Sequence, residues 1–254
     1  MMDKIYGIAL SGGAVRGASH IGVLKALEEY GIFPSVISGS SAGSIIGCFY
    51  AAGYSPVELE EIILDTNILS YLKPAMNLTA LFSLEGLEKL IQQYIKVSDI
   101  SQLEKKLYVC ATNLNLGIPE YFDKGNIYEI ISASSALPFI FKPVKIGDYM
   151  YVDGGIMDNL PVEPLLKKSN FIIGSEVNPL GVEKSFNNPI NILLRSFFLA
   201  VRANVEARKK YCNLFLQPPE LRQIGLFSTW KIKDAIDIGY RYTKAVLREY
   251  FKQE

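Results

Sequence analysis

Two hydroxyls between glycines, in Gly39-Ser40-Ser41-Ala42-Gly43, are the residues of this chain best suited to chemistry. The β-branched pair Val36-Ile37 leads into the pentad, and a stretch rich in Gly, Ala, Ser and aliphatic residues follows it to Gly53. This pattern reads as strand, sharp turn and buried helix. A G-x-S-x-G pentad at such a junction is a nucleophile elbow, in which the glycines leave room for a strained turn that lifts one hydroxyl above the sheet. Ser41 is then the candidate nucleophile. The same residues also fit a plainer reading, in which Gly39 and Gly43 allow a tight turn and Ser40 or Ser41 caps the helix.

A serine hydroxyl that attacks an acyl carbon needs a base, and in the usual triad that base is a histidine oriented by an acid. The single histidine, His20, lies upstream of Ser41, whereas α/β-hydrolases present Ser, acid and His in that order. His20 is expected to pack or hydrogen bond on the first helix. The best-placed alternative base is Asp153, which ends the strand-like Tyr149-Met150-Tyr151-Val152 and precedes Gly154-Gly155. Two glycines there permit close backbone approach and put the carboxylate at a loop mouth; its plainer role is a turn cap. A free aspartate titrates near ~3.9 and is a weak base, so partial desolvation beside Ser41 has to raise its basicity.

A third feature is the loop Ser11-Gly12-Gly13-Ala14-Val15-Arg16-Gly17, between a strand and a helix. It is not a P-loop, which requires Gly-Lys followed by Ser or Thr. Nor does it carry the dinucleotide fingerprint, because Ser38-Gly39-Ser40 stands where an acidic residue should end the second strand. What remains is a run of backbone N–H groups at a helix N-terminus, able to hold negative charge developing on an oxygen.

The elements that must position these residues follow from apolar periodicity. Lys4 to Leu10 reads as a strand, Ala18 to Tyr30 as a helix ending at Gly31, and Ser55-Pro56 as the start of a helix through Asp65. Asn67 to Ser83 is a largely apolar segment broken by Lys73-Pro74, read as a loop over the core edge or a flap over an apolar pocket. Leu84 to Ile95 is helical; Lys106 to Thr112 and Pro119 to Asp123 are paired strands; Asn126 to Ala136 is a helix stopped by Pro138. Asn159 to Val162 is expected to open another helix, Phe171 to Ser175 is a strand, and Ile190 to Tyr211 is a long amphipathic helix. A last strand over Asn213 to Gln217 and a helix over Lys231 to Phe251 complete the pattern. Strands alternating with helices imply an α/β layered sheet.

With 254 residues, 49% of them hydrophobic, the chain has material for one substantial core, and a single domain is expected. Every apolar run is interrupted well short of the ~18 to 20 residues of a spanning helix. The N-terminus lacks the pattern of a secretory signal, so a cytoplasmic location is the expectation. Cys48, Cys110 and Cys212 are widely spaced and expected to pack as small hydrophobes. Without clustered His or Cys, neither a metal nor another cofactor is implied. Net charge is zero, yet from Arg195 onward there are 12 Lys or Arg against six Asp or Glu. That basic end is a solvated helix face or a surface for anionic phospholipid headgroups. No motif or stacking pattern supports nucleic-acid binding.

Taken together, GGAVRG, GSSAG and DGG, in this order and at these intervals, resemble the patatin-like phospholipase family, here as a bacterial-type single-domain member. The resemblance runs over about residues 4 to 217, including GASHIGVLKALEEYGI and SASSALPFIFKPV, with a C-terminal helical segment over about 220 to 254. It implies a three-layer α/β fold with a central, mostly parallel sheet. It also implies a Ser41–Asp153 dyad, an oxyanion hole from the amides of Gly12, Gly13 and Ala14, and supporting roles for Arg16, Gly39, Gly43, Gly154 and Gly155. The family pattern normally has a third glycine where this chain has Ala14. The implied activity is hydrolysis of a phospholipid or other fatty-acyl ester through an acyl-serine. Peripheral membrane contact would be made through Ile68 to Phe82 or Phe197-Phe198-Leu199. A thioesterase or transacylase with the same dyad, or a non-catalytic lipid-binding member, are the alternatives.

Overall fold

The computed structural model describes residues 4–66, 73–74, 82–138, 140–182 and 188–252. Most of the segment read as a loop or flap over Asn67 to Ser83 therefore lies outside the described residues. A short antiparallel pair, β3 (Lys73–Pro74) and β4 (Phe82–Ser83), borders it.

The frame is an eight-stranded sheet. Its parallel part is formed by β1 (Tyr6–Leu10), β2 (Val36–Ser40), β5 (Lys106–Asn113), β9 (Phe171–Ser175) and β10 (Leu214–Leu216), in the order β10-β9-β1-β2-β5. β6 (Ile118–Phe122), β8 (Tyr149–Asp153) and β7 (Val144–Ile146) extend it in antiparallel fashion beyond β5. β1, β2 and β9 are buried along almost their whole length because both of their faces are covered, as parallel sheets require. On one face Ile8, Leu10, Ile37, Leu107 and Ile173 pack with residues of α1 (Ser19–Glu29), α2 (Ala42–Ala51) and the C-terminal helix; on the other, Ala9, Val36 and Ile172 pack with Leu160, Val162, Val201 and Val205. Among the described residues the remaining α-helices are α3 (Pro56–Asp65), α4 (Glu85–Tyr94), α5 (Ile127–Ser134), α6 (Pro189–Lys209) and α7 (Ile232–Tyr250). α3 opens on a full capping box, with the Ser55 side chain accepting from Glu58 N and the Glu58 carboxylate accepting from Ser55 N.

One expected element differs. Asn159 to Val162 does not begin an α-helix; only a short 3-10 turn, Glu163–Leu165, forms there. Pro161 and Pro164 remove two amides from this stretch, and Leu160, Val162 and Leu165 are drawn instead into the core on the α6 face of the sheet.

The register of β5 brings together two strands that are far apart in sequence. Its residues Lys106 to Cys110 pair with β2, ending at Ser40↔Cys110, and the next residue, Ala111, pairs with Asp153 of β8. The opposite edge of β5 at this level belongs to β6, through Cys110↔Tyr121 and Ala111↔Glu120. β2 and β8 therefore share one edge of β5 and meet end to end, one residue apart.

Candidate active site

At the end of β2 the backbone turns sharply into α2. Ser41, between them, adopts φ 51 and ψ −124, a conformation that a residue with a side chain takes up only under constraint. The flanking glycines supply the constraint. A methyl group on Gly39 would sit 2.5 Å from the Gly43 carbonyl oxygen, and one on Gly43 would collide with the carbonyl of Leu10 in β1. The Ser41 amide donates to Ser134 Oγ at 2.9 Å, which ties the turn to the end of α5. Although Ser41 stands at the N-cap position, its side chain makes no capping hydrogen bond. It lies instead close enough to the Asp153 carboxyl to lower that group's titration. Without a capping bond from Ser41, the plainer reading of a serine-capped turn loses its support.

Asp153 is the last residue of β8 and only 5% exposed. Burial pushes its carboxyl up to about 6, against the lowering effect of hydrogen bonds from Ser41 and from the Gly155 amide. The Gly155 N–H donates to Asp153 Oδ1 at 2.8 Å. Both glycines after it are needed for space: a methyl on Gly154 would press on Ser40 Oγ at 2.8 Å, and one on Gly155 on Asn159 Oδ1 at 2.6 Å.

The loop from Ser11 to Gly17 lies against this pair, since a methyl on Gly12 would come within 2.8 Å of Ser41 Cβ. The three expected oxyanion donors are not equivalent. Gly12 N–H already donates to Asn159 Oδ1 at 3.1 Å, and the Gly12 carbonyl accepts from Asn178 Nδ2 at 2.6 Å and Asn159 Nδ2 at 3.4 Å. Gly12 is thus clamped on both sides. The Gly13 and Ala14 amides donate no hydrogen bond among the described residues. Ala14 has φ 48, in the left-handed region, so alanine holds there a conformation that favours glycine. Arg16 donates through Nε to the Ile224 carbonyl at 2.8 Å, fastening the loop to the segment that precedes α7.

His20 is fully buried and uses both ring nitrogens, Nε2 with the Ser11 carbonyl at 2.8 Å and Nδ1 with Ser175 Oγ at 2.9 Å. Desolvation holds it down to about 4, so the ring is neutral and supports the strands beneath the loop. Cys48 and Cys110 are buried free thiols and Cys212 a half-buried one. Burial raises Cys48 and Cys212 to about 12, which makes them poor nucleophiles. Among the described residues no group of three or more His, Cys, Asp or Glu is placed to hold a metal ion.

Asn159, Asn178 and Asn204 were not legible as site residues. Asn159 alone left a trace, standing six positions after Asp153 in DGGIMDNLP; the other two arrive from distant elements.

The family model for the patatin-like phospholipases matches residues 8–166, more than half of the chain. The chain belongs to the patatin-like phospholipase family. It is 26% identical over 282 residues to "Lysophospholipase NTE1" of Debaryomyces hansenii, covering 98% of this chain and 18% of that protein. An uncharacterized NTE family protein of Mycobacterium bovis is 32% identical over 164 residues, covering 62% of this chain and 44% of its own. The chain thus spans about a fifth of the yeast lysophospholipase and under half of the mycobacterial relative. Among solved structures, VipD from Legionella pneumophila superposes with a TM-score of 0.65 at 16% identity, over 97% of this chain and 67% of that one, which is a likeness of fold.

Proposed function

We propose that this protein is a lipid acyl hydrolase of the phospholipase A or lysophospholipase type, in which Ser41 is the nucleophile and Asp153 its base. The observation that carries the reading is a strained Ser41 whose side chain caps no helix amide and lies close to a buried carboxyl whose basicity burial has raised. Ser41 Oγ attacks the ester carbonyl as its proton passes to Asp153, and the alcohol leaves with that proton. Water, deprotonated by the same Asp153, then releases the fatty acid from the acyl-serine. Negative charge on the tetrahedral oxygen falls to the Gly13 and Ala14 amides; Gly12, committed to Asn159, orients them. One such donor is worth ~100- to 1,000-fold in rate. The lysophospholipase name of the yeast relative supports a lipid ester as substrate. Ala14 keeps its amide without an internal acceptor among the described residues, so its departure from glycine does not remove a donor that turnover needs.

Such a substrate sits in a membrane or micelle, and apolar groups flank the site at the carboxyl end of the sheet. Phe227 and Trp230 are 51% and 78% exposed on the segment whose Leu226 carbonyl accepts from Val15 N of the Gly-rich loop. Leu114, Leu116 and Ile118 stand out from the β5–β6 turn. These residues suit peripheral contact better than Phe197, which packs against the core on the α6 face of the sheet; the expected contact over Ile68 to Phe82 lies almost entirely outside the described residues.

The reading is tested with a fluorophosphonate probe and fatty-acid release from phospholipid, lysophospholipid and short-chain esters. Wild type is expected to label and turn over, Ser41→Ala to do neither, and Asp153→Asn to lose turnover. Full labelling of Ser41→Ala removes the nucleophile assignment, and wild-type hydrolysis by Asp153→Asn removes the base.

A further inference from the structure

The aspartate turn and the Gly-rich loop have no covalent continuity, yet both must stay in register with Ser41. Their common support is α6. Asn204 Nδ2 donates to the carbonyls of Gly155, at 3.2 Å, and Ile156, at 3.4 Å, while Asn204 Oδ1 accepts from Asn159 N at 3.0 Å. One amide side chain thus holds three backbone groups on both limbs of the turn. Asn159, so held, grips the Gly12 peptide. One helical turn on, Arg208 Nε pairs with the fully buried Asp158 at 2.7 Å, and Tyr121 Oη donates to the same carboxylate at 2.6 Å. Val201 and Val205, on the same stripe of α6, lock the helix against Leu160 and Val162.

We infer that Asn204 is a positioning residue for the Ser41–Asp153 pair, acting through Gly155 on the aspartate and through Asn159 on the Gly-rich loop. The inference rests on the proposed dyad. Two consequences arise from these connections. Gly155 is the residue whose N–H steadies the ionised Asp153, and Asn204 fixes that residue by its carbonyl. Releasing it weakens the donation and moves the aspartate's titration upward. The second consequence is looser placement of the Gly13 and Ala14 amides, which lowers the rate of the chemical step more than substrate binding. The titratable groups nearest Asp153 from neighbouring elements are Cys110 of β5 and Tyr121 of β6, both held neutral by burial, and Asp158, whose carboxyl burial raises to about 7 against the pull of Arg208. Asn204 makes no hydrogen bond to Asp158, so that titration is common to wild type and variants and the shift between them reports on Asp153.

The test compares Asn204→Leu, close in size and without hydrogen bonds, with Asn204→Asp, which keeps the acceptor for Asn159 N and loses both donations. Arg202→Leu, on the exposed side of the same helix, serves as the control. Both Asn204 variants are expected to lose about 10- to 100-fold in kcat, the cost of a misplacement of about 1 Å, with KM changed far less. The acidic limb of kcat/KM is expected to move up by about one pH unit, the equivalent of one charge-assisted hydrogen bond. Arg202→Leu should behave as wild type. If Asn204→Leu or Asn204→Asp turns over with wild-type kcat and an unmoved limb, the inference is overturned. It is equally overturned if activity falls only in proportion to folded protein, measured by circular dichroism on the same samples. Ser41→Ala and Asp153→Asn are assayed alongside: should they remain active, the dyad itself fails, whereas inactive dyad variants beside a wild-type Asn204→Leu refute the positioning role alone.

Discussion

Ser41 and Asp153 each hold a state that is unfavourable on its own. Ser41 occupies a backbone region that costs of order 1–3 kcal/mol for a residue with a side chain. Asp153 carries its carboxyl into a site where the charged form is poorly solvated, which is why it titrates near about 6. Two measurable effects of that carboxyl are expected. In the proposed role of general base it has to be ionised, so kcat/KM should rise with pH through about 6 and level off above it. Its effect on stability has the opposite sign. A folded-state value above the unfolded 3.8 means that the folded protein binds the proton more tightly. Stability is therefore lost as pH climbs from about 4 to about 6, and by neutral pH the loss is roughly 3 kcal/mol. Asp153→Asn, inactive but without that charge, should be more stable than wild type at pH 7 and converge with it below about pH 4, as read from urea midpoints. Parallel stability profiles for the two proteins would show that the carboxyl is not raised.

At the scale of elements, placement comes from close packing of backbone on backbone. The end-to-end meeting of β2 and β8 along β5 leaves no room beyond Gly154 for a side chain, and the elbow leaves none at Gly39 or Gly43. The same device joins α1 to α7, where the floor of the Gly-rich loop meets the C-terminal helix. A methyl on Gly239 would strike the Ser19 carbonyl and sit 2.5 Å from Ser19 Oγ, and one on Gly22 would strike the Ile236 carbonyl. Because the obstructing atoms are backbone, a substitution has to push the helices apart. Gly239→Ala is expected to lower stability by about 1–3 kcal/mol, read as a shift in denaturant midpoint, despite alanine's better helix propensity. A stabilised Gly239→Ala would mean that the two helices are not in contact as described.

For the whole molecule, four of the twelve basic residues of the C-terminal end, Arg202, Arg208, Lys233 and Lys244, pair with carboxylates among the described residues. Lys233 pairs with Glu60 and Asp237, Lys244 with Glu29, and Arg208 with Asp158 and Glu163. Among the described residues no helix is long and apolar enough to cross a membrane. Contact with lipid, in the proposed function, then falls to apolar side chains around the site mouth. The double variant Phe227→Ala, Trp230→Ala is expected to bind phosphatidylcholine vesicles about tenfold more weakly or worse in a sedimentation assay, since each ring otherwise buries a large apolar area. Its hydrolysis of a soluble short-chain ester should stay at the wild-type rate. Undiminished vesicle binding would put the contact elsewhere.

Short-range signals in the chain were enough to indicate the α/β alternation, the strand-turn-helix at Ser41, the strand ending at Asp153 and the absence of a usable histidine, because each depends on periodicity, on glycine spacing or on a count. Tertiary structure alone decided that the strand ends carrying Ser41 and Asp153 meet, since that juxtaposition arises from the register of β5 with two strands distant in sequence. It also decided that Gly12 is held by Asn159 and Asn178, that Asn204 reaches the aspartate turn, and that Asn159 to Val162 is core-packed turn and not helix. An asparagine amide carries no periodicity and looks the same at the surface as in a buried clamp. Only the folding of α6 over the sheet brings Asn204 to the backbone groups that give it a role.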